Sequence, residues 1–99
     1  MDRIYSVYWA KSALDELSGI LAYPPEVKER IYFDSFDRLQ YTPTLTAKQI
    51  ENGTLHGLWV RLGLYQVFLV FEVDEEAAKI WIYGIKHKRE NVHWKRSGR

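Results

Sequence analysis

Cysteine is absent from the 99-residue chain. That removes disulfides and thiolate metal sites, and it suits a reducing compartment such as the cytoplasm. No apolar run approaches the roughly 20 residues that span a bilayer, so no membrane segment is expected. Repeats and low-complexity segments are missing as well. The opening MDRIYSVYW has charges ahead of a short apolar run and no small-residue cleavage pattern, so no signal peptide is read there. The six glycines are scattered and build no phosphate-binding loop. The three histidines, His56, His87 and His93, have no ligand spacing and no carboxylate cluster beside them. No metal site and no cofactor are therefore expected, and no Ser-His-Asp arrangement is apparent.

Net charge is only +1, but it is unevenly spread. From Gly84 onward stand Lys86, Lys88, Arg89, Lys95, Arg96 and Arg99 against a single acid, Glu90. The residues before Gly84 are net acidic. A basic C-terminal end on an acidic domain suits a polyanionic partner. The last few residues, KRSGR, read as a solubilising tail. The length allows one domain with one core, burying roughly 60–68% of the unfolded surface.

Periodicity sets out the elements. Tyr5, Val7 and Trp9 alternate with Ile4, Ser6 and Tyr8, predicting a strand over 3–9. Ala10, Ala13, Leu14, Leu17, Ile20 and Leu21 then repeat at three and four, predicting an amphipathic helix over 10–23. Tyr23-Pro24-Pro25 breaks it, and Pro25 suits the first turn of a second helix over 25–40. That helix is expected to bury Val27, Ile31, Phe36 and Leu39. Strands follow over 56–62, 65–73 and 78–86, and a basic tail over 87–99. The predicted class is α+β in β-α-α-β-β-β order. It has a small four-stranded, largely antiparallel sheet with both helices on one face. The other face must meet water or a partner.

Gly63-Leu64 fits a two-residue type II′ hairpin turn. That register sets Arg61 opposite Gln66, Val60 opposite Val67 and Trp59 opposite Phe68. A four-residue loop over 74–77 then sets Glu72 opposite Lys79, an attractive pair. Leu58, Val60, Leu62, Val67, Leu69, Phe71, Val73, Ile80 and Ile82 would share the helix-covered face. Trp59, Arg61, Gln66, Phe68, Val70, Glu72, Lys79, Trp81, Tyr83, Ile85 and His87 would share the bare one. Arginine forks onto phosphate, aromatics stack on unpaired bases and histidine moves protons near neutral pH. The alternative for Trp59, Phe68, Trp81 and Tyr83 is a second small core under a loop or a partner strand. Phe68 and Val70 look more like packing than function.

The stretches YWAKSALDELSGI, Leu39 to Leu45 with its PTL ending, LWVRLGLYQVFLVFEV and IYGIKHKRENVHW together resemble the RelE/ParE toxin superfamily of bacterial toxin–antitoxin modules. The resemblance covers roughly residues 4–94 in order. It implies a dedicated antitoxin partner in a toxin–antitoxin hetero-oligomer. It also implies either mRNA cleavage, mostly on the ribosome, or inhibition of DNA gyrase through protein–protein binding. A degenerate toxin that only binds its antitoxin is the third alternative. Arg61 matches the family's arginine on the first hairpin strand, and Lys88 the basic residue after the last strand. Gln66 stands where an arginine is common. Trp94 stands where many nucleases have tyrosine, and indole has no hydroxyl to transfer a proton. The lysines that precede the hairpin in RelE are absent, with Gly57 and Trp59 there. On this reading His87 is the acid or base, and Arg61 and Lys88 clamp phosphate. Gln66, Lys86, Arg89, Trp59, Tyr83, Trp94 and His93 would contact substrate. His93, or Glu51 from its loop, could take the second proton role. His56 reads as incidental.

Overall fold

The computed structural model describes residues 3–87. Lys88, Arg89, His93 and Trp94 lie outside the described residues. The element order is β1 (Ser6–Trp9), α1 (Lys11–Ser18), α2 (Pro25–Gln40), β2 (Lys48–Gln49), β3 (Trp59–Leu62), β4 (Val67–Asp74) and β5 (Lys79–His87), with a short 3-10 turn over Leu64–Gln66. The sheet has five strands in the order β1-β5-β4-β3-β2, one more than expected because β2 adds a two-residue edge. Strand β1 runs parallel to β5 and the other pairs are antiparallel. Among the described residues no helix is long and apolar enough to cross a membrane.

Helix α2 begins at Pro25 and ends at Gln40 as its pattern predicts. Helix α1 is shorter than predicted. It stops at Ser18 with Gly19 as its cap, and Leu21 is left 95% exposed. Ala13 and Leu17 of α1 join Ile31 and Leu39 of α2 on Val67, Leu69, Phe71, Ile80, Ile82 and Ile85 of the sheet. Phe36 does not reach this core as expected. Ser35 does, fully buried, because its hydroxyl is satisfied twice. It accepts from Trp9 Nε1 at 2.9 Å and donates to the Tyr32 carbonyl at 2.6 Å.

Beyond Trp9 the parallel partner of β5 ends, and α1 seals the exposed edge. The Ala10 amide donates to the Ile82 carbonyl and Ser12 Oγ to the Tyr83 carbonyl, while Glu16 Oε1 accepts from the Ile85 amide at 2.9 Å. A strand edge with its polar groups satisfied in this way offers no template for further pairing.

Two departures from the predicted register decide which side chains reach which face. The β3–β4 hairpin is not a two-residue turn. Leu62 pairs with Phe68 and Arg61 with Leu69, an offset of three residues. An odd offset turns a whole strand over. Trp59 and Arg61 therefore point to the helices, and Val60 points away from them. The longer loop is favoured by tertiary partners: Val67 is fully buried, Leu64 packs on the core and the Gly63 amide donates to the Val67 carbonyl. The second departure is a bulge in β5. Phe71 pairs with Ile82 but Val70 with Gly84, leaving Tyr83 as the extra residue. Trp81 and Tyr83 stay on the outer face, as expected. Ile85 and His87 cross to the helix side. Separately, the turn between β4 and β5 sits one residue later than expected, so Glu72 lies opposite Trp81 and Asp74, not Glu72, lies opposite Lys79, an even shift that leaves the faces unchanged.

The outer face is not wholly bare. Ile50, Val60 and Val70 form a second small core with Leu55, Leu58 and Phe68 around it. The segment 50–58 folds back on itself through Ile50 amide to Leu58 carbonyl and Gly57 amide to Ile50 carbonyl, each 2.8 Å. Gly57 turns this loop at φ 92°, where a side chain would be strained. Packing is thus the role of Phe68 and Val70. Tyr8 and Trp81, stacked at 4.9 Å, and Tyr83 remain exposed on the same face.

Candidate functional site

Arg61 is not on an open surface. It is 8% exposed, and its Nη1 donates to the carbonyls of Arg38 (2.8 Å) and Thr42 (2.6 Å), with Pro43 at 3.5 Å. These are carbonyls at and just beyond the C-terminal turn of α2, which helix geometry leaves without partners and which carry the negative end of the helix dipole. Burial lowers the pKa of the guanidinium. The charge of Arg38 lowers it further, and Asp34 opposes both. Asp34 also accepts from Arg38 Nε at 2.7 Å. Arg61 is a helix cap, so its expected role as an exposed phosphate clamp is corrected.

His87 sits at the other end of α2. The helix has 16 residues, about 24 Å at 1.5 Å per residue. One phosphate therefore cannot meet both Arg61 and His87. The imidazole Nε2 lies 2.9 Å from the Tyr23 hydroxyl, with the two rings edge to face at 5.2 Å. The Tyr23 hydroxyl donates to the Tyr65 carbonyl at 2.5 Å, and the Tyr65 hydroxyl accepts from Arg30 Nη1 at 3.1 Å. The Tyr65 hydrogen bond is the main cause of a raised Arg30 pKa. A cleft of about 370 Å³ is lined by Ala22, Tyr23, Tyr65, Gln66 and His87. A neighbouring groove of about 510 Å³ shares Ala22 and His87 and adds Lys86 and Glu16, whose Nζ and Oε2 are paired at 2.5 Å.

The floor of the cleft is strained. Tyr65 (φ 56°, ψ 36°) and Gln66 (φ 62°) both adopt the left-handed region, at roughly 1–3 kcal/mol each for residues with a side chain. The Tyr23 and Arg30 contacts hold Tyr65 in that state.

Of the residues singled out from sequence, His87, Gln66 and Lys86 come together here. Trp59 packs against the helix-side core instead. Tyr83 lies on the outer face, and its hydroxyl donates to Glu72 Oε1 at 2.9 Å. That bond, helped by burial and by the Glu72 charge, raises the Tyr83 pKa. Glu51 and His56 are exposed on the outer-face loop. Among the described residues no cluster of three or more His, Asp or Glu could hold a metal ion. Tyr23, Arg30 and Tyr65 were not legible as site residues. Tyr23 precedes His87 by 64 residues, and no spacing rule links them.

The fold has close counterparts among solved structures. The toxin–antitoxin complex RelBE2 of Mycobacterium tuberculosis superposes with a TM-score of 0.70 at 20% identity, over 89% of this chain and 95% of that one. The fold is that of the RelE toxins. The archaeal RelE–RelB complex of Pyrococcus horikoshii gives a TM-score of 0.61 at 18% identity, over 89% and 99%. An Escherichia coli RelE mutant in the free state gives 0.60 at 14%, over 87% and 85%. No protein-family model matches the sequence, and no curated protein matches it. The RelE fold accounts for the sheet order and the paired helices.

Proposed function

We propose that the chain is the toxin of a type II toxin–antitoxin module and that it cleaves mRNA, on the translating ribosome, with His87 as the proton-transfer group. The observation that carries this reading is His87 in a cleft with Tyr23, Tyr65 and Gln66, on a RelE fold, with Lys86 and Arg30 at its margins. Two of the structural neighbours are toxin–antitoxin or RelE–RelB complexes, which supports an antitoxin as the partner of this chain.

The proposed cleavage is metal-independent. The RNA 2′-hydroxyl gives its proton to His87, and its oxygen bonds to phosphorus. The bond from phosphorus to the 5′-oxygen then breaks, and that oxygen takes a proton from water. Charge on the crowded phosphate needs fixed cations. Arg30 uses one N–H on Tyr65, and its planar fork carries five in all. Lys88 follows His87 directly in sequence and is a further cation for this role.

The test is brief expression in a bacterium, with primer extension on a chosen transcript and plasmid supercoiling measured in parallel. New cuts in translated transcripts, reduced about 100- to 10,000-fold in His87→Ala, support the reading. Relaxed or cleaved plasmid beside intact mRNA would replace it with gyrase inhibition. A chain without effect on growth would be one that only binds its antitoxin.

A further inference from the structure

We infer that Tyr23 is the positioning residue for His87, holding the imidazole with its proton on Nε2 and its basic lone pair on Nδ1. The catalytic meaning of this assignment rests on the proposed role of His87. The hydrogen-bond assignment itself does not.

A phenol has a single proton to donate. The Tyr65 carbonyl only accepts, so at 2.5 Å it takes the Tyr23 proton. The Tyr23 oxygen then faces His87 Nε2 across 2.9 Å with lone pairs alone. Nε2 must be the donor, whether the ring is neutral or protonated. In the neutral ring this assigns the accepting nitrogen to Nδ1. The edge-to-face contact of the two rings at 5.2 Å restrains the plane of the imidazole as well.

The Tyr65 carbonyl is available in this direction because Tyr65 and Gln66 are both left-handed. The strained loop therefore has a use: it aims an acceptor at Tyr23. Arg30 from α2 holds the Tyr65 ring. Among the described residues, the charged groups around His87 are Lys86 on its own strand, Glu16 on α1 through that lysine, and Arg30 on α2 through Tyr65. Among the described residues, no carboxylate is in the relay of contacts from Arg30 through Tyr65 and Tyr23 to His87. The relay ends on a neutral phenol oxygen, which orients the ring without adding a negative charge.

The experiment uses the full chain with labelled histidine ring nitrogens, in mildly alkaline buffer. The wild type is expected to show a His87 Hε2 resonance protected from exchange with water. Tyr23→Phe keeps the ring and removes the oxygen, so that resonance should be lost. Tyr65→Phe keeps the backbone carbonyl, so it should be retained. Cleavage by Tyr23→Phe should fall in kcat by up to about 100-fold, with KM nearly unchanged. A wild-type proton on Nδ1 in place of Nε2, or a protected Hε2 signal that survives in Tyr23→Phe, would overturn the inference. If the wild type cuts no RNA, the function proposed above fails while the resonance still decides this assignment.

Discussion

Replacing Arg61 by methionine tests whether the guanidinium belongs to the scaffold or to the substrate. Methionine keeps much of the apolar stem and deletes the charge. Two bonds are lost, to the Arg38 and Thr42 carbonyls at 2.8 and 2.6 Å; the Pro43 contact at 3.5 Å is too long to count for much. Bonds from a charged donor contribute about 1.5–3 kcal/mol each, so the gross loss is about 3–6 kcal/mol. Part of it is returned. Arg61 Nε is buried without a hydrogen-bond partner among the described residues, and removing it relieves about 1–3 kcal/mol. The net expectation is about 2–3 kcal/mol, against a total stability of about 5–15 kcal/mol for a chain of this size. That corresponds to a fall in Tm of about 10–20 °C. Urea unfolding followed by tryptophan fluorescence measures it as a lower midpoint with an unchanged slope. Arg61→Lys, with one compact charge, should fall between the two. On the proposed function, any loss of toxicity should then follow the folded fraction. An Arg61→Met protein within about 0.5 kcal/mol of wild type, yet inactive, would refute the assignment and return the guanidinium to the substrate.

Ser35→Ala should cost about 1–3 kcal/mol, because Trp9 Nε1 loses its buried acceptor; an unchanged urea midpoint would mean that water replaces the hydroxyl. Alkaline stability should depend on Tyr5 and Tyr83. Both pKa values are raised, first by hydrogen bonds to Glu75 and Glu72 respectively and then by burial and the carboxylate charge. The folded state thus holds two protons more tightly than the unfolded chain, whose tyrosines ionise near pH 10. Their contribution is complete below about pH 10 and is lost as pH rises through the folded values. The double variant Tyr5→Phe/Tyr83→Phe should flatten that alkaline decline in urea midpoint, and an unchanged slope would show that other groups set it.

Most of the architecture was legible because it rests on period and on punctuation. Tyr5, Val7 and Trp9 alternate as a half-buried strand must, and Pro25 starts α2 where its missing N–H does no harm. The faces of the sheet were legible only in part, because each depends on a count of residues in a turn. Gly63-Leu64 has the composition of a two-residue turn. The loop is longer because Val67 gains a buried site and Tyr65 gains Tyr23 and Arg30, contacts between residues distant in sequence. The bulge at Tyr83 has no marker in its own segment. Side-chain direction beyond it was therefore misread for Ile85 and His87, although Trp81 and Tyr83 before it were read correctly.

The two corrections act together on the site. Had only the hairpin offset occurred, Arg61 would have left the outer face while His87 stayed on it. Had only the bulge occurred, His87 would have moved alone. With both, the two residues share the helix side, yet α2 separates them, one at each end. The buried arginine caps the C-terminal end of that helix. The histidine meets a hydroxyl just before its N-terminal end. If RNA is cleaved at His87 as proposed, a cation for it must come from residues near His87, and Arg30 and Lys86 are the described ones that its cleft and groove bring closest. Arg30 is the better supplied of these, since Lys86 is already held by Glu16, whereas among the described residues Arg30 spends a single hydrogen bond on the Tyr65 hydroxyl.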